Sequence, residues 1–179
     1  MNRTLALPLI GAILMGCSMQ TAKSVAYSHA SARFAAEVPA DWTVIENPAG
    51  EPPGVQFLAP PPQGRRAVRP YISVDFHAAK GGRYASLEAC LAERTRDLPG
   101  RSHGPVTDIK VGSLAGKELT LTRPLPQSPE FSPKGEQSVR TILLPAADGF
   151  YELCYAAPQG SAPAYADVFA HFLGTFRRR

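Results

Sequence analysis

QSVRTILLPAADGFYELCYAA, residues 137–157, decides the fold. Two strand-forming runs, 137–144 and 150–157, flank Ala147-Asp148-Gly149, and Asp-Gly between two such runs is a strong short-range hairpin signal. So short a connection joins antiparallel neighbours, because a parallel pair needs a crossover of about a dozen residues or more. The centre of the chain therefore reads as an antiparallel sheet.

Working outward from the hairpin, residues 106–111 and 117–123 read as two further strands joined by the tight Gly112-Ser113-Leu114-Ala115-Gly116 connection. Residues 71–77 alternate, with Ile72, Val74 and Phe76 on one face and Ser73, Asp75 and His77 on the other. That period of two predicts a core face and a polar sheet surface. Residues 55–58 form a strand between proline- and glycine-rich loops at 48–54 and 60–70, and a third such loop spans 124–136. Residues 33–38 and 42–45 read as two strands around Pro39-Ala40-Asp41.

Two helices break this series. Ser86 is placed to cap one whose apolar positions Leu87, Cys90, Leu91 and Leu98 follow three-four spacing, with Pro99-Gly100 as its stop. The other opens at Ser161-Ala162-Pro163, carries Tyr165, Val168, Phe169, Phe172 and Leu173 in one stripe, and closes at Gly174. Hairpin-connected strands with one helix mid-chain and one at the end do not alternate as a parallel sheet demands. They predict an α+β fold, an antiparallel sheet of about six to seven strands packed with two main helices.

The amino terminus reads as an address. Arg3 supplies a positive charge, residues 4–15 are apolar apart from Thr4 and Pro8, and Gly16 and Ser18 flank Cys17, the layout of a secretory signal. A spanning helix needs roughly 20 apolar residues, and this run is shorter. Leu14-Met15-Gly16-Cys17 resembles the lipobox of bacterial lipoproteins, with Met15 departing from the usual small residue. The resemblance implies cleavage between Gly16 and Cys17 and lipid attachment at Cys17. A diacylglyceryl plus N-acyl cysteine gives stable anchoring where one chain would not. Ser18 after the cysteine implies the outer membrane by the same family's sorting rule, with the cell surface as the alternative. An ordinary signal peptide with an incidental cysteine is the rival reading. The chain then divides into a signal at 1–16, a lipidated cysteine and flexible tether at 17–31, and one globular domain at 32–179.

Removing residues 1–16 leaves 179 − 16 = 163, enough for one domain with a substantial core. Apolar content of 44% against 19% charged residues excludes a disordered chain. The net charge is +4, and 14 of the 19 basic residues are arginine. They are scattered apart from Arg65-Arg66-Arg69 and the terminal Arg177-Arg178-Arg179. A nucleic-acid surface concentrates such residues on one face with aromatics among them. No nucleic-acid partner is expected.

Phe34-x-x-x-Val38-Pro39-x-x-Trp42, the run Leu114-Ala115-Gly116-Lys117-Glu118-Leu119, the hairpin Asp148-Gly149-Phe150-Tyr151-Glu152-Leu153 and the closing Val168-Phe169 with Thr175-Phe176 resemble the PsbP-type fold. That fold occurs in the extrinsic photosystem protein, in a Ran-binding import factor and in bacterial lipoproteins of the DcrB kind. The resemblance covers residues 32–176 and implies an α/β/α sandwich that acts by binding or scaffolding. It supplies no active site to carry over.

His29, His77, His103 and His171 are far apart with no paired spacing, so neither metal nor cofactor is expected. Ser113 lies one residue early for a nucleophile elbow, and a strand rather than a helix follows it. With Cys17 given to lipid, Cys90 and Cys154 remain, either as a disulfide closing a loop of about 65 residues or as two separate core thiols. The leading functional expectation is a non-enzymatic envelope lipoprotein, anchored to the membrane through Cys17, that binds a protein partner, with the proline-rich loops as its contact surface. A small-ligand or lipid binder with a pocket between sheet and helix is the second reading. An envelope enzyme assembled from Asp75, His77 and Glu152 is the third.

Overall fold

The computed structural model describes residues 23–47, 52–61, 67–127 and 133–179. Gly16, Cys17 and the signal segment lie outside these residues, as do positions 48–51, 62–66 and 128–132 of the three proline-rich loops. Along the described chain the order is β1 (Ser24–His29), β2 (Phe34–Pro39), β3 (Thr43–Asn47), β4 (Gly54–Leu58), β5 (Tyr71–Ala78), α1 (Leu87–Arg94), β6 (Ser102–His103), β7 (Thr107–Val111), β8 (Leu114–Pro124), β9 (Glu136–Ala146), β10 (Gly149–Pro158), α2 (Ala166–Thr175) and β11 (Arg177–Arg178). A 3₁₀ turn at Ala162–Tyr165 leads into α2.

The hairpin predicted at 137–157 is β9 and β10, with Gly149 opposite Ala146 and Tyr151 opposite Leu144. Gly149 is required by crowding rather than by turn angle, since a Cβ there would lie 2.0 Å from the His77 carbonyl oxygen on β5. Outward from that pair the antiparallel sheet runs β3-β4-β5-β10-β9-β8-β6, with β7 also on β8. Gly112, at φ +58, makes the β7–β8 turn with Ser113 beside it, which leaves that serine in a hairpin and not at an elbow. A second, three-stranded sheet, β1-β2-β11, packs across the first.

Between the sheets lies the main core. Ile72, Val74 and Phe76 from β5, Tyr151, Leu153 and Tyr155 from β10, and Phe57 from β4 meet Phe34 of β2 and Phe169, Phe172 and Phe176 at the end of the chain. Phe34, Phe57, Phe169 and Phe172 are fully buried, and each such side chain stabilises the fold by about 1.5–3 kcal/mol through lost water contact. The predicted stripe on α2 therefore faces this core. Trp42 is buried and meets Tyr165 edge-on at 6.0 Å. With α1 on the opposite face of the large sheet, the layers are helix, sheet, then small sheet with α2. This is an α+β fold with two main helices on a mostly antiparallel sheet.

Several boundaries differ from the sequence reading. Folded structure begins at Ser24 rather than Ala32, because β1 pairs along its whole length with β2, from Ser24 opposite Pro39 to His29 opposite Phe34. The strands either side of Pro39-Ala40-Asp41 belong to different sheets, so that turn is a corner, fixed by the Ala40 amide on the Lys23 carbonyl at 2.8 Å. Helix α1 ends at Arg94, not Pro99. Thr95 Oγ1 donates to the Leu91 carbonyl at 3.0 Å, and the Arg101 guanidinium donates to the carbonyls of Glu93 and Arg94. These bonds satisfy the helix's terminal acceptors, and Leu98 is left on the surface. Helix α2 runs through Gly174 to Thr175 and passes directly into β11.

Candidate functional site

The face of the large sheet opposite the main core is polar, and it is not a solvent surface. Strand alternation puts Ser73, Asp75 and His77 of β5, Glu152 and Cys154 of β10, and Thr141 of β9 on this side. Register sets Asp75 opposite Glu152, Ser73 opposite Cys154, and Cys154 opposite Thr141. Helix α1 lies over them. Its cap is the predicted one, with the Ala89 amide donating to Ser86 Oγ at 3.2 Å. Its fully buried residue is Cys90, and Leu87 and Leu91 are half-buried against Phe150, Leu143 and Tyr84. His77 and Glu152 are each 2% exposed, which corrects the expectation that Asp75 and His77 belong to an open polar surface.

Glu152 is the hub. Its Oε2 accepts from His77 Nε2 at 3.1 Å and its Oε1 from Arg94 Nε at 2.7 Å. The Cys90 thiol lies 4.0 Å from Oε2 and the Cys154 thiol 3.7 Å from Oε1, with Thr141 Oγ1 3.6 Å from the latter sulfur. Burial alone would push the Glu152 carboxyl up. The hydrogen bonds from His77 and Arg94, together with their charge, reverse that and hold it at about 2. Asp75 goes the other way, to about 6, first through burial and then through the neighbouring Glu152 charge, against the opposing pull of His77 and Arg94. Burial and Glu152 push the Cys90 thiol up to about 12 and raise Cys154 as well. Neither sulfur is a ready thiolate.

His77 is enclosed by aromatic rings, Phe150 stacked at 4.7 Å and Tyr84 edge-on at 5.2 Å. Its Nδ1 and the Tyr84 hydroxyl are buried with no hydrogen-bond partner. An open groove of about 460 Å³ lies beside this cluster, between the first turn of α1 and the ends of β8, β9 and β10. Leu87, Ala115, Gly116, Pro145, Ala146 and Phe150 are among its walls. It reaches Phe150 but stops short of His77, Glu152 and Asp75.

The structure thus brings Asp75, His77 and Glu152 together, and it places Cys90 and Cys154 on either side of the Glu152 carboxylate. The two thiols are free, which corrects the disulfide reading in favour of two separate thiols. The residue that sequence reasoning missed is Arg94. Its signal was its place four after Cys90 and seven after Leu87, on the same helix face. The other histidines stay apart. His29 is buried with Nδ1 accepting from the Ala32 amide at 2.9 Å, His103 and His171 are exposed, and His171 pairs with Glu37. Among the described residues no group of three or more ligating side chains is arranged to hold a metal ion. At Glu152 itself the Arg94 guanidinium and the His77 ring occupy both carboxylate oxygens. The terminal Arg177 donates to the carbonyls of Gly174 and Phe176, at 3.0 and 2.7 Å, and Arg69 to Thr43 Oγ1 at 2.9 Å. These cations cap backbone and loops. Among the described residues no helix is long and apolar enough to cross a membrane.

No protein-family model matches the sequence, and no curated protein does. Solved structures do match in fold. Mycobacterium tuberculosis LpqN, described as involved in cell envelope biogenesis, is 14% identical, with a TM-score of 0.58 over 86% of this chain and 89% of its own. The cyanobacterial PsbP protein CyanoP of Synechocystis is 7% identical, with a TM-score of 0.53 over 94% of this chain and all of its own. A Bacteroides thetaiotaomicron protein is 14% identical with a TM-score of 0.55, and this chain spans 48% of its length. At such identities the likeness is one of fold. The chain carries a PsbP-like α+β domain, with a buried ionic cluster between its central sheet and α1.

Proposed function

We propose that this protein is an exported, lipid-anchored envelope protein whose PsbP-like domain works by binding a partner rather than by catalysis. One observation carries the non-catalytic reading: Glu152, His77 and Cys90 are buried beneath α1, with Asp75 and Cys154 half-buried beside them. Glu152 is committed to Arg94 and His77, and the Cys90 thiol is pushed up to about 12. A catalytic base or nucleophile must reach its substrate within hydrogen-bond distance, and here the reachable groove ends at Phe150. Export and anchoring rest on Leu14-Met15-Gly16-Cys17, and Ser18 favours the outer membrane facing the periplasm. The fold likeness to LpqN, itself involved in envelope biogenesis, agrees with an envelope role.

In-cell cross-linking with mass spectrometry tests the binding half. Reproducible cross-links to one envelope protein are expected, and loss of none of them on deleting residues 124–133 counts against that loop as the contact. Cys17→Ser tests the anchor: the variant is expected to keep its signal segment and to lose incorporation of a labelled fatty acid, and processing and labelling unchanged from the wild type refute lipid attachment there. The groove between α1 and the sheet favours a second reading, a small ligand held in it. Native mass spectrometry of gently purified protein would show such a ligand as added mass.

A further inference from the structure

Only a short length of chain separates Cys17 from the first strand. β1 begins at Ser24, seven residue steps on, and the Lys23 carbonyl is already tied by the Ala40 amide. At 3.3–3.6 Å for each residue, a chain of that length reaches no further than about 25 Å. β1 is also the edge strand of the small sheet, β1-β2-β11. To turn α1 toward a bilayer, the tether would have to pass two further layers at about 10 Å each, which takes most of its reach. The outer face of the small sheet needs none of it.

Alternation sends Tyr27 and His29 of β1 and Phe34 of β2 toward the core, and leaves Ala26, Ser28, Ala35 and Glu37 outward. Register lines up Ser28, Ala35 and Arg177 across the three strands, and Arg179, two residues on, shares the side of Arg177. These side chains line an open depression of about 320 Å³. Ala26, Ser28 and both arginines are exposed, so no bulky side chain stands between the guanidinium groups and a flat surface. Arg177 spends Nη1 on the carbonyls of Gly174 and Phe176. Among the described residues its remaining nitrogens and the Arg179 guanidinium make no hydrogen bond, and the one carboxylate lining the depression, Glu37, accepts from His171 Nε2 at 2.9 Å. A guanidinium fork suits a phosphate, which it can bind through two parallel N–H groups.

We propose that this face docks the domain on the membrane: held through Cys17, the small sheet lies against the bilayer, and Arg177 and Arg179 bind the phosphates of anionic phospholipid headgroups. The proposal rests on the lipid anchor at Cys17. Each arginine at an anionic surface favours contact by about fivefold, and the pair by roughly 30-fold. That is too little to hold a free protein, but a short tether keeps the face at an effective concentration of about millimolar. Docked in this way, the domain turns α1 and the groove beside it away from the lipid, where a partner can reach them.

Arginine footprinting on vesicles reads the contact residue by residue. The mature chain, residues 17–179, is coupled through Cys17 to a maleimide-bearing lipid, in vesicles of phosphatidylcholine with phosphatidylglycerol or of phosphatidylcholine alone, and treated with phenylglyoxal. On the anionic vesicles Arg177 and Arg179 should react at least about fivefold more slowly than on the neutral ones, while Arg96, just past α1, reacts equally on both. The slowing should vanish in 1 M salt, where charge is screened within about 3 Å. No slowing overturns the proposal, as does equal slowing on neutral vesicles, or slowing at Arg96 in place of Arg177 and Arg179. Slowing that grows with protein concentration without vesicles overturns it too, since a second copy would then cover the face. Chemical coupling supplies the anchor in every case, so a Cys17 found without fatty acid in cells defeats the anchoring reading alone, and a missing footprint defeats the docking face alone.

Discussion

Glu152→Gln is the most informative single change. It keeps the size and shape of the buried side chain and removes the charge that Arg94 and His77 hold at 2.7 and 3.1 Å. The carboxyl lies at about 2 in the fold against an ordinary value of 4.5, because those two partners outweigh its burial. A depressed carboxylate stabilises the fold in its ionised form, so its contribution is complete above about 4.5 and disappears as pH falls through about 2. Between 4.5 and 2, at about 1.4 kcal/mol for each tenfold, that amounts to about 3 kcal/mol at pH 7. The amide recovers part of one hydrogen bond to Arg94, so the expected loss is about 2–3 kcal/mol, enough to lower Tm by several degrees in a domain of this size. Urea unfolding at pH 7 measures it through a lower midpoint at unchanged slope. The gap between wild type and variant should then close as pH is lowered toward 2. A loss under about 1 kcal/mol at pH 7, or a gap that stays constant down to pH 2, would refute the reasoning.

Wild-type stability should peak at about pH 4–4.5, falling on the alkaline side between about 4 and 6, where the fold still holds the Asp75 proton that the unfolded chain has lost, levelling off above about 6, and falling on the acid side as Glu152 is neutralised; urea midpoints across pH 3–8 check it, and a flat profile between about pH 4.5 and 6 counts against the Asp75 assignment. Gly54→Ala should cost about 2–4 kcal/mol, because the new methyl would lie 2.4 Å from Asp75 Oδ1 and 2.7 Å from the Val74 carbonyl oxygen, and one of these is backbone that cannot step aside; thermal unfolding gives the number. Phe172→Ala should cost about 3–5 kcal/mol, since the ring is fully buried against Phe57, Phe169 and Phe176, and a loss near 1 kcal/mol would mean that α2 is not the plug of the main core. Cys90 and Cys154 should resist alkylation in the native protein at pH 8 and react at once in urea, with no mass change on reduction; rapid native labelling of Cys90 would show that α1 lifts far more often than its burial implies.

What the sequence carried legibly was everything with a period or a turn. The β9–β10 hairpin announced itself through Asp148-Gly149, the inner face of β5 through Ile72, Val74 and Phe76, and α2 through its aromatic stripe. The polar face of β5 was misread for a physical reason. Ser73, Asp75 and His77 alternate as a solvated edge would, and alternation reports which residues share a face, not what covers it. The covering helix was visible, yet its one long polar contact, Arg94, looks like an ordinary surface arginine until Glu152 is found beneath it. Strand β1 was lost because its small and polar residues are weak strand formers, although Tyr27 and His29, two apart, both pack against Phe34, the first tilted and the second stacked. The early end of α1 depends on Arg101, seven residues beyond the helix, and no local pattern foretells such a contact.

The two faces of the large sheet are held by different physics, and that difference bears on binding. On the inner side the rings of Phe34, Phe57, Phe169, Phe172 and Phe176 interlock, and α2 passes straight into β11, which pairs with β2. To free any one of these elements is to expose the whole aromatic core. On the outer side α1 rests one buried thiol, two half-buried leucines and an ionic contact on Leu143, Phe150 and Tyr84, a smaller apolar contact than the aromatic core. Surfaces that move on binding are drawn from such low-stability elements, and the groove beside α1 has that helix's first turn as one wall. A partner with equal affinity for both positions of α1 shifts nothing, whereas one that prefers the lifted helix binds with an affinity reduced by the cost of lifting it.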